Sequence, residues 1–486
     1  METLPALSHE VWGRTPPEAQ DFIRALEARV EALEAMVQAF QEDNRGLQEQ
    51  LSQPSRNSSR PPSSDPPHPQ RPRRPRGQRR RGGQPGHPGH TRTLLPVDAV
   101  DEVVVLKPEE CTPCHAPLSG DDPKPWRHQV IAMPPIKPVV TEYQWHQLVC
   151  TACGEVTRAP WPAGVPSSPY GPRVQATVAL CTGAYRLSKR TTQQMMAEVF
   201  GVPRSGGTSS PLEQATTAAV AAPVEAARTS VREQAVAHLD ETRGRQGDTP
   251  AWLWIAVTMW VTVFVVRLSR GGPVARELLG QTFAGILVTD RYSAYNGYPV
   301  RWRQVCWAHV LRDVEAMRDR GGCSKEIGDA LLVQAHQMLT WWHRVRQGTR
   351  KRSTFRAYMT PRRREVERLL EAGSRCGVPK TAGTCREILK LRQALWTFIQ
   401  VEGVEPTNKT AERSIRPGVL WRKGSFGTQS AEGSRFVESM MTVVATLKQQ
   451  QRDVLEYLTA ACEAALRGDA APSLLPESDQ TSQAAA

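Results

Sequence analysis

The chain has 486 residues, 39% of them hydrophobic and 23% charged, and its 62 Lys and Arg against 49 Asp and Glu give a formal charge of +13. That length and apolar content support several domains with cores of their own, and exclude a collagen, a disulfide miniprotein and a wholly disordered chain. No secretory signal is legible at the start, and the longest uncharged apolar run, residues 251–266, is shorter than the roughly 20 residues a spanning helix needs, so no membrane partner is expected. The 10 cysteines are then expected as reduced thiols or metal ligands.

Residues 1–20 read as a flexible start. Over residues 21–52 the apolar positions follow a heptad, with Ile23, Val30, Val37, Asn44 and Leu51 at one seam position and Leu26, Leu33, Phe40 and Leu47 at the other. β-Branched residues at the first position with mostly Leu at the second favour a parallel two-stranded coil, and a seam Asn fixes its register. A homodimer through this helix is expected; a lone amphipathic helix packed on its own protein is the alternative. Residues 53–95 are rich in Pro, Arg, Ser and Gly and have too little apolar surface to fold, which predicts an extended basic linker. Within it, residues 53–92 carry ten Arg against one acid, a net of +9, whereas residues 1–52 carry ten acids against four bases, a net of −6. Arg71, Arg73, Arg74, Arg76, Arg79, Arg80 and Arg81 concentrate that charge and suit a phosphate backbone, where counterion release supplies affinity.

Residues 96–165 hold two C-x2-C knuckles, Cys111 with Cys114 and Cys150 with Cys153. Each bends the chain so that two thiolates face one ion, and two together complete a tetrahedral structural zinc site. Strand-like residues 130–133 and 139–148 between them fit a zinc-ribbon DNA-binding domain. A redox dithiol is the rival, but it would use a single pair near a helix start.

Residues 170–234 read as a helical domain, with helices at 174–185, 192–200 and 215–234. A turn at Gly201 makes residues 187–209 a candidate helix-turn-helix, which a plain helical hairpin would resemble. Strands then follow at 235–242, 251–260 and 261–268, a helix at 273–279, a strand at 285–289, a helical turn at 293–296, a strand at 304–307 and a helix at 308–318. That is the element order of an RNase H-like sheet, in which the first strand lies beside the fourth. It makes residues 235–320 the first part of the core, residues 321–400 a helical basic insertion and residues 401–465 the second part. Residues 466–486 read as a flexible tail. Residues 344–368 in the insertion carry ten basic side chains against two acids, a net of +8, and either clamp DNA or form a solvated face.

In that order Asp240 and Asp290 end neighbouring strands, and a buried carboxylate pair is costly unless a cation neutralises it. Hard oxygen ligands point to magnesium or manganese, and two such ions about 3.5–4 Å apart serve in-line phosphoryl displacement. Residues 407–416 offer the third acid. If helical, they stack Asn408, Glu412 and Arg416 on one face as orienting amide or carbonyl ligand, metal-binding carboxylate and phosphate-pairing guanidinium. Arg422 and Lys423 extend this basic edge. Cys306 and His309 are spaced like ligands, but a core Cys and a helix-capping His is the preferred reading. His238 reads as structural, and Trp252 and Trp254 as core.

The motifs together resemble a known family. The run from Gly82 to His90, the paired knuckles, Asp240-Glu-Thr242, Trp252-Leu-Trp254, Thr289 to Tyr295, Cys306-Trp-Ala-His309 with Arg312, and Asn408 to Arg416 leading to Arg422-Lys423 are similar to the large DDE transposases of insertion-sequence family sixty-six. The resemblance implies a multidomain α/β protein. Its RNase H-like catalytic core has a helical insertion and is preceded by a coiled coil, a zinc ribbon and a helical domain. It further implies a metal-binding triad of Asp240, Asp290 and Glu412, with Asn408, Arg416, Arg422, Lys423 and His309 in support. The implied activity is DNA strand cleavage and strand transfer at terminal inverted repeats, using two Mg2+ or Mn2+ ions beside structural Zn2+. DNA, a second copy of the chain and small accessory proteins of the same element are the implied partners, and the bacterial cytoplasm, at the nucleoid, the implied location. One departure stands out: the family has two Asn in the motif before its Glu, and here Asn408 is followed by Lys409, which either pairs with phosphate or competes with metal for the carboxylate. A decayed, catalytically inactive DNA-binding relative is the alternative, and an RNase H-like nuclease acting on RNA–DNA hybrids a further one.

Overall fold

The computed structural model describes residues 9–52 and 93–476. The arginines 71–81 and the Gly82 to His90 run lie outside the described residues. The described residues form two compact units: one comprises residues 9–52, 145–193 and 205–476, the other residues 93–144 and 194–204. Among the described residues no helix is long and apolar enough to cross a membrane.

The chain opens with α1 (His9–Gly13) and the 36-residue α2 (Pro17–Ser52). A small hairpin, β1 (Gln147–Val149) and β2 (Val156–Arg158), precedes α3 (Pro172–Gly183), α4 (Lys189–Glu198), α5 (Ser209–Ala219) and α6 (Ala221–Val231). The third helix expected from the sequence is thus two helices, α5 and α6, which meet at Val220 ahead of Pro223, a residue that fits only the first turn of a helix.

The main sheet has five strands: β3 (Val236–Gln246), β4 (Thr249–Val257), β5 (Thr262–Arg267), β6 (Ile286–Thr289) and β7 (Arg303–Val305), in the spatial order β5-β4-β3-β6-β7. The three N-terminal strands are antiparallel, while β6 runs parallel to both β3 and β7, so the sheet is mixed. A helix, α7 (Gly272–Leu279), separates β5 from β6. Strand periodicity divides the side chains between two cores. Ala237, Leu239 and Leu287 join a core built with α3, α5, α6, α7, α15 (Ala431–Gln449) and α16 (Val454–Arg467). Ile286 and Val288 join the other core, against which Val236 also packs. That second core is formed with α8 (Trp307–Asp319), α9 (Gly322–Arg346), α10 (Arg352–Ser374), α11 (Pro379–Lys390) and α12 (Thr397–Gln400). The insertion is therefore part of the fold's packing, as the cover of one sheet face.

Strand β5 lies at an edge, where unpaired N–H groups invite a foreign strand. Helix α15 covers it. The backbone N–H groups of Thr262, Phe264 and Val266 donate to Thr446 Oγ1, Thr442 Oγ1 and Glu438 Oε1 at 3.1, 2.9 and 2.7 Å. Four helical residues rise about 6 Å and two strand residues about 6.6 Å, so the two ladders stay in step over three rungs. Glu438 is buried, and Arg228 and Arg267 neutralise it at 2.6 and 2.9 Å.

The last elements before α15 are α13 (Lys409–Ser414) and α14 (Arg416–Ser425). After α14 the loop crosses the end of β3 at Gly427, whose φ is +117° and where a Cβ would lie 2.2 Å from the Arg245 carbonyl oxygen. Only glycine fits this crossing.

Candidate active site

Two residues beyond the last registered pair of β3 and β6, His238 with Val288, lie Asp240 and Asp290. Parity puts both on the face of Val236, Ile286 and Val288; Asp290 lies just past the end of β6, while Asp240 sits within β3, which runs on to Gln246 rather than ending at the acid as expected. Burial, then the charges of Glu241 and Asp290, push the Asp240 carboxyl well above its ordinary range, with Glu412 adding to the effect. Its Oδ1 accepts the Glu241 N–H at 2.9 Å, and Asp290 Oδ1 accepts the Tyr292 N–H at 2.9 Å. Glu241 follows Asp240 on the opposite parity. It accepts from the Tyr295 hydroxyl at 2.5 Å and from Arg270 at 2.8 Å. Beneath Asp290 the guanidinium of Arg303 is fully buried, donating to Thr289 Oγ1 and the Asp290 carbonyl at 3.3 Å each. The sequence carries no signal for Arg270 or Arg303, whereas Tyr295 ends the Thr289 to Tyr295 run.

Glu412 reaches the same region from α13. The expected single helical face through Asn408, Glu412 and Arg416 does not form: α13 is six residues long and α14 starts at Arg416, with Pro417 in its first turn. Asn408 precedes α13 and is buried. Its Nδ2 donates to the Leu239 carbonyl at 2.7 Å, its Oδ1 faces His238 Nδ1 at 3.1 Å, and its backbone N–H donates to Cys306 Sγ at 3.1 Å. Both ends of the amide thereby have a partner, and Asn408 acts as a clamp between β3 and α13. Its carbonyl accepts the Glu412 N–H at 3.0 Å, which hangs Glu412 from that clamp. Burial lowers the pKa of His238, leaving it neutral in this pocket.

Cys306 ends β7 and precedes α8, and His309 lies in the first turn of α8. Glu412 Oε1 lies 3.7 Å from Cys306 Sγ and 3.6 Å from His309 Nδ1. Burial lowers the pKa of His309, and burial beside Glu412 pushes the Cys306 thiol up to about 12. Among the described residues, these three are the His, Cys, Asp and Glu side chains that converge as a group, within 4.8 Å of one another. Asp240 feels the charges of Asp290 and Glu412, but the three acids do not close to that distance as a set. Lys409 is exposed and forms no ion pair among the described residues. Arg416 and Lys423 are exposed, and Arg422 donates to the Arg243 carbonyl.

The two knuckles share one local design. The N–H groups of Cys111 and Cys150 each donate to the carbonyl five residues on, Ala116 and Glu155, at 2.9 and 2.7 Å. His115 and Gly154, following the second Cys of each, have φ of 56° and 77° and donate back to the first Cys at 2.8 Å. The strands expected around them are mostly absent: of residues 130–133 and 139–148 only 147 and 148 are in a strand. Val130, Val139 and Val140 are exposed, with no opposing layer to bury them.

In the insertion, Arg352 and Arg356 donate to the carbonyls of Phe398, Ile399, Gln400 and Val401, ending α12. Arg362 lies 3.4 Å from the Tyr358 ring centroid, Arg363 pairs with Glu367 at 2.9 Å, and Arg368 pairs with Glu365 at 2.7 Å. Arg344 lies over the Trp341 ring and Arg346 contacts His343, so most of the basic block is engaged within the insertion itself.

Residues 167–435, spanning the sheet, the insertion and all three acids, match the family described as Transposase IS66 family. The chain belongs to that family. Residues 14–93 match a second family, DUF6444, of unknown function. Uncharacterized protein y4qI of Sinorhizobium fredii is 28% identical over 238 residues, which cover 43% of this chain and 43% of that protein, less than half its length. The IS66 family is one of insertion-sequence transposases, a class that acts on DNA and in general uses divalent metal ions.

Proposed function

We propose that this IS66-family chain cuts and joins DNA at the inverted repeats of an insertion sequence, with Asp240, Asp290 and Glu412 as the metal-binding triad. The single observation that carries this reading is the raised Asp240 carboxyl: burial and the charges of Glu241, Asp290 and Glu412 leave an excess of negative charge that a hard divalent cation relieves. Magnesium or manganese bound there would polarise the scissile phosphate and activate water, then a freed 3′-hydroxyl, for in-line attack. The residues of the chain hold the acids in place. Tyr292 N–H fixes Asp290, Arg303 secures the strand end beneath it, and the Asn408 clamp holds the helix of Glu412 against β3.

Exposed Arg416, Lys423 and Lys409 near Glu412 supply cations for a phosphate backbone, and Arg344, Arg346, Arg350, Lys351 and Arg364 supply more from the insertion. The linker arginines 71, 73, 74, 76, 79, 80 and 81 extend this contact in our reading. The paired knuckles are proposed to hold one structural zinc through Cys111, Cys114, Cys150 and Cys153, their matched turns being the support. Helix α2 leaves Leu26, Val30, Leu33, Val37 and Phe40 exposed along its heptad seam, the surface a second copy would cover to hold both element ends. Small proteins of the same element are proposed to assist.

The test is nicking and strand transfer on a labelled duplex carrying the inverted repeats that flank the gene, with magnesium or manganese, and calcium as the control. Cleavage at the repeat tip by the wild type and at least a thousandfold less by Asp290→Asn is the expected result. Binding with no cleavage under any cation overturns the catalytic reading in favour of a DNA-binding relative.

A further inference from the structure

We propose that Cys306 Sγ, His309 Nδ1 and Glu412 Oε1 form a site for a thiophilic divalent cation of the zinc class, next to the triad and sharing one of its carboxylates. The three ligand atoms lie within 4.8 Å of one another, with Glu412 Oε1 3.7 Å from the sulfur and 3.6 Å from the nitrogen. In a tetrahedral zinc site with Zn–S of about 2.3 Å and Zn–N and Zn–O of about 2.0 Å, the corresponding edges are about 3.5 and about 3.3 Å. The two edges at Glu412 need to close by only a few tenths of an ångström, and the sulfur–nitrogen edge lies within 4.8 Å.

Three further features point to a cation. His309 Nδ1 is buried with no hydrogen-bond partner, an arrangement that native proteins rarely leave unfilled. Cys306 Sγ already accepts the Asn408 N–H at 3.1 Å, the kind of outer contact that orients a thiolate ligand. The His309 and Glu412 side chains are 23% and 27% exposed, so a fourth ligand, water or a phosphate oxygen, has an open approach. All three ligands sit at the ends of regular elements, β7 with α8 and the short α13, and the Asn408 clamp ties these together.

The donor set selects the ion. A thiolate and an imidazole bind zinc-class cations far better than magnesium, which prefers six oxygens and keeps its waters. Binding expels the Cys306 thiol proton to solvent, leaving a thiolate, a neutral imidazole and a carboxylate on the metal. Because Glu412 then faces the soft cation, zinc and catalytic magnesium compete for it. That competition rests on the triad reading; the site itself does not.

The experiment is a titration of the full-length protein with Co2+ as the probe, read by thiolate-to-cobalt charge-transfer absorption, with bound metal counted by mass spectrometry. Wild type is expected to take up one cation per chain more than His309→Gln or Cys306→Ser, with a charge-transfer component that both variants lose and that millimolar magnesium does not displace. Cobalt held by the knuckle cysteines is unchanged across the three. Equal metal counts and equal spectra in all three proteins overturn the site and leave His309 as a structural neighbour of Glu412. If Cys306→Ser fails to fold, as its thermal unfolding would reveal, the part-exposed His309→Gln carries the test. On the DNA substrate, half-inhibition by zinc should need at least tenfold more zinc in His309→Gln; an unchanged value overturns the competition. Loss of cleavage in every protein overturns the strand-transfer reading and leaves the cation count to decide the site.

Discussion

Replacing Asn408 with Ala isolates the clamp between β3 and the helix of Glu412. The amide makes two side-chain contacts, to the Leu239 carbonyl at 2.7 Å and to His238 Nδ1 at 3.1 Å, both in buried surroundings. Truncation leaves that carbonyl and that imidazole nitrogen without partners, and a buried polar group left unsatisfied costs about 1–3 kcal/mol. Allowing for partial relaxation, the variant should lose about 2–4 kcal/mol. With an unfolding entropy of about 2.1 cal/mol/K per residue over roughly 300 residues of core, this lowers Tm by about 3–7 °C, measured by calorimetry on metal-free protein. Metal-dependent cleavage should fall further than stability does at temperatures where the variant is folded, because the residue-408 carbonyl that accepts the Glu412 N–H is no longer tied to β3 by the amide side chain. A Tm within 1 °C of wild type would refute the clamp and return Asn408 to the role of a metal ligand.

Two other outcomes follow from the same geometry. The Asp240 pKa is raised, so this carboxyl holds more protons folded than unfolded; its stabilising contribution is full at pH below the unfolded value of about 4 and is lost as pH rises through the folded value. Metal-free Asp240→Asn should therefore be more stable than wild type at neutral pH and equal to it near pH 3, by thermal unfolding across pH. Magnesium should raise the Tm of wild type alone, with about 2.7 kcal/mol expected at a hundred times the dissociation constant. A variant no more stable than wild type at neutral pH contradicts the account of Asp240. At the other side of the sheet, Glu438→Ala leaves the Val266 N–H and the guanidinium of Arg228 without their buried partner. Breaking such a pair costs about 3–5 kcal/mol. Urea unfolding should show that loss, and a cost under about 1 kcal/mol would mean that α15 holds the edge of β5 by apolar packing alone.

Much of the architecture is legible in one dimension. The antiparallel strands, the helix after them and the two shorter strands follow from local periodicity and turn chemistry, because neighbouring residues alone determine which faces a strand or helix presents. The placement of Asp240 and Asp290 on adjacent strands follows from the same order, although β3 runs on past Asp240 to Gln246, and each knuckle needs only its own few residues to form its turn. Family resemblance then singled out Glu412, which spacing could not, since a chain with 49 acids offers many triples.

The rest depends on partners far apart in the chain. The Glu438, Thr442 and Thr446 ladder looks like three polar residues on a buried helix until β5 lies against it, some 180 positions away. Asn408 reads as a ligand beside an acid until Leu239 and His238 arrive to occupy its amide. Arg352 and Arg356 read as a DNA clamp until the end of α12 supplies carbonyls for them. Cys306, His309 and Glu412 meet only because β7, α8 and α13 end at one place. Sequence periodicity says that a side chain is turned inward; which buried group it must satisfy there is decided by packing, because a polar group taken out of water has to find its partner among whatever the tertiary fold brings within about 3 Å.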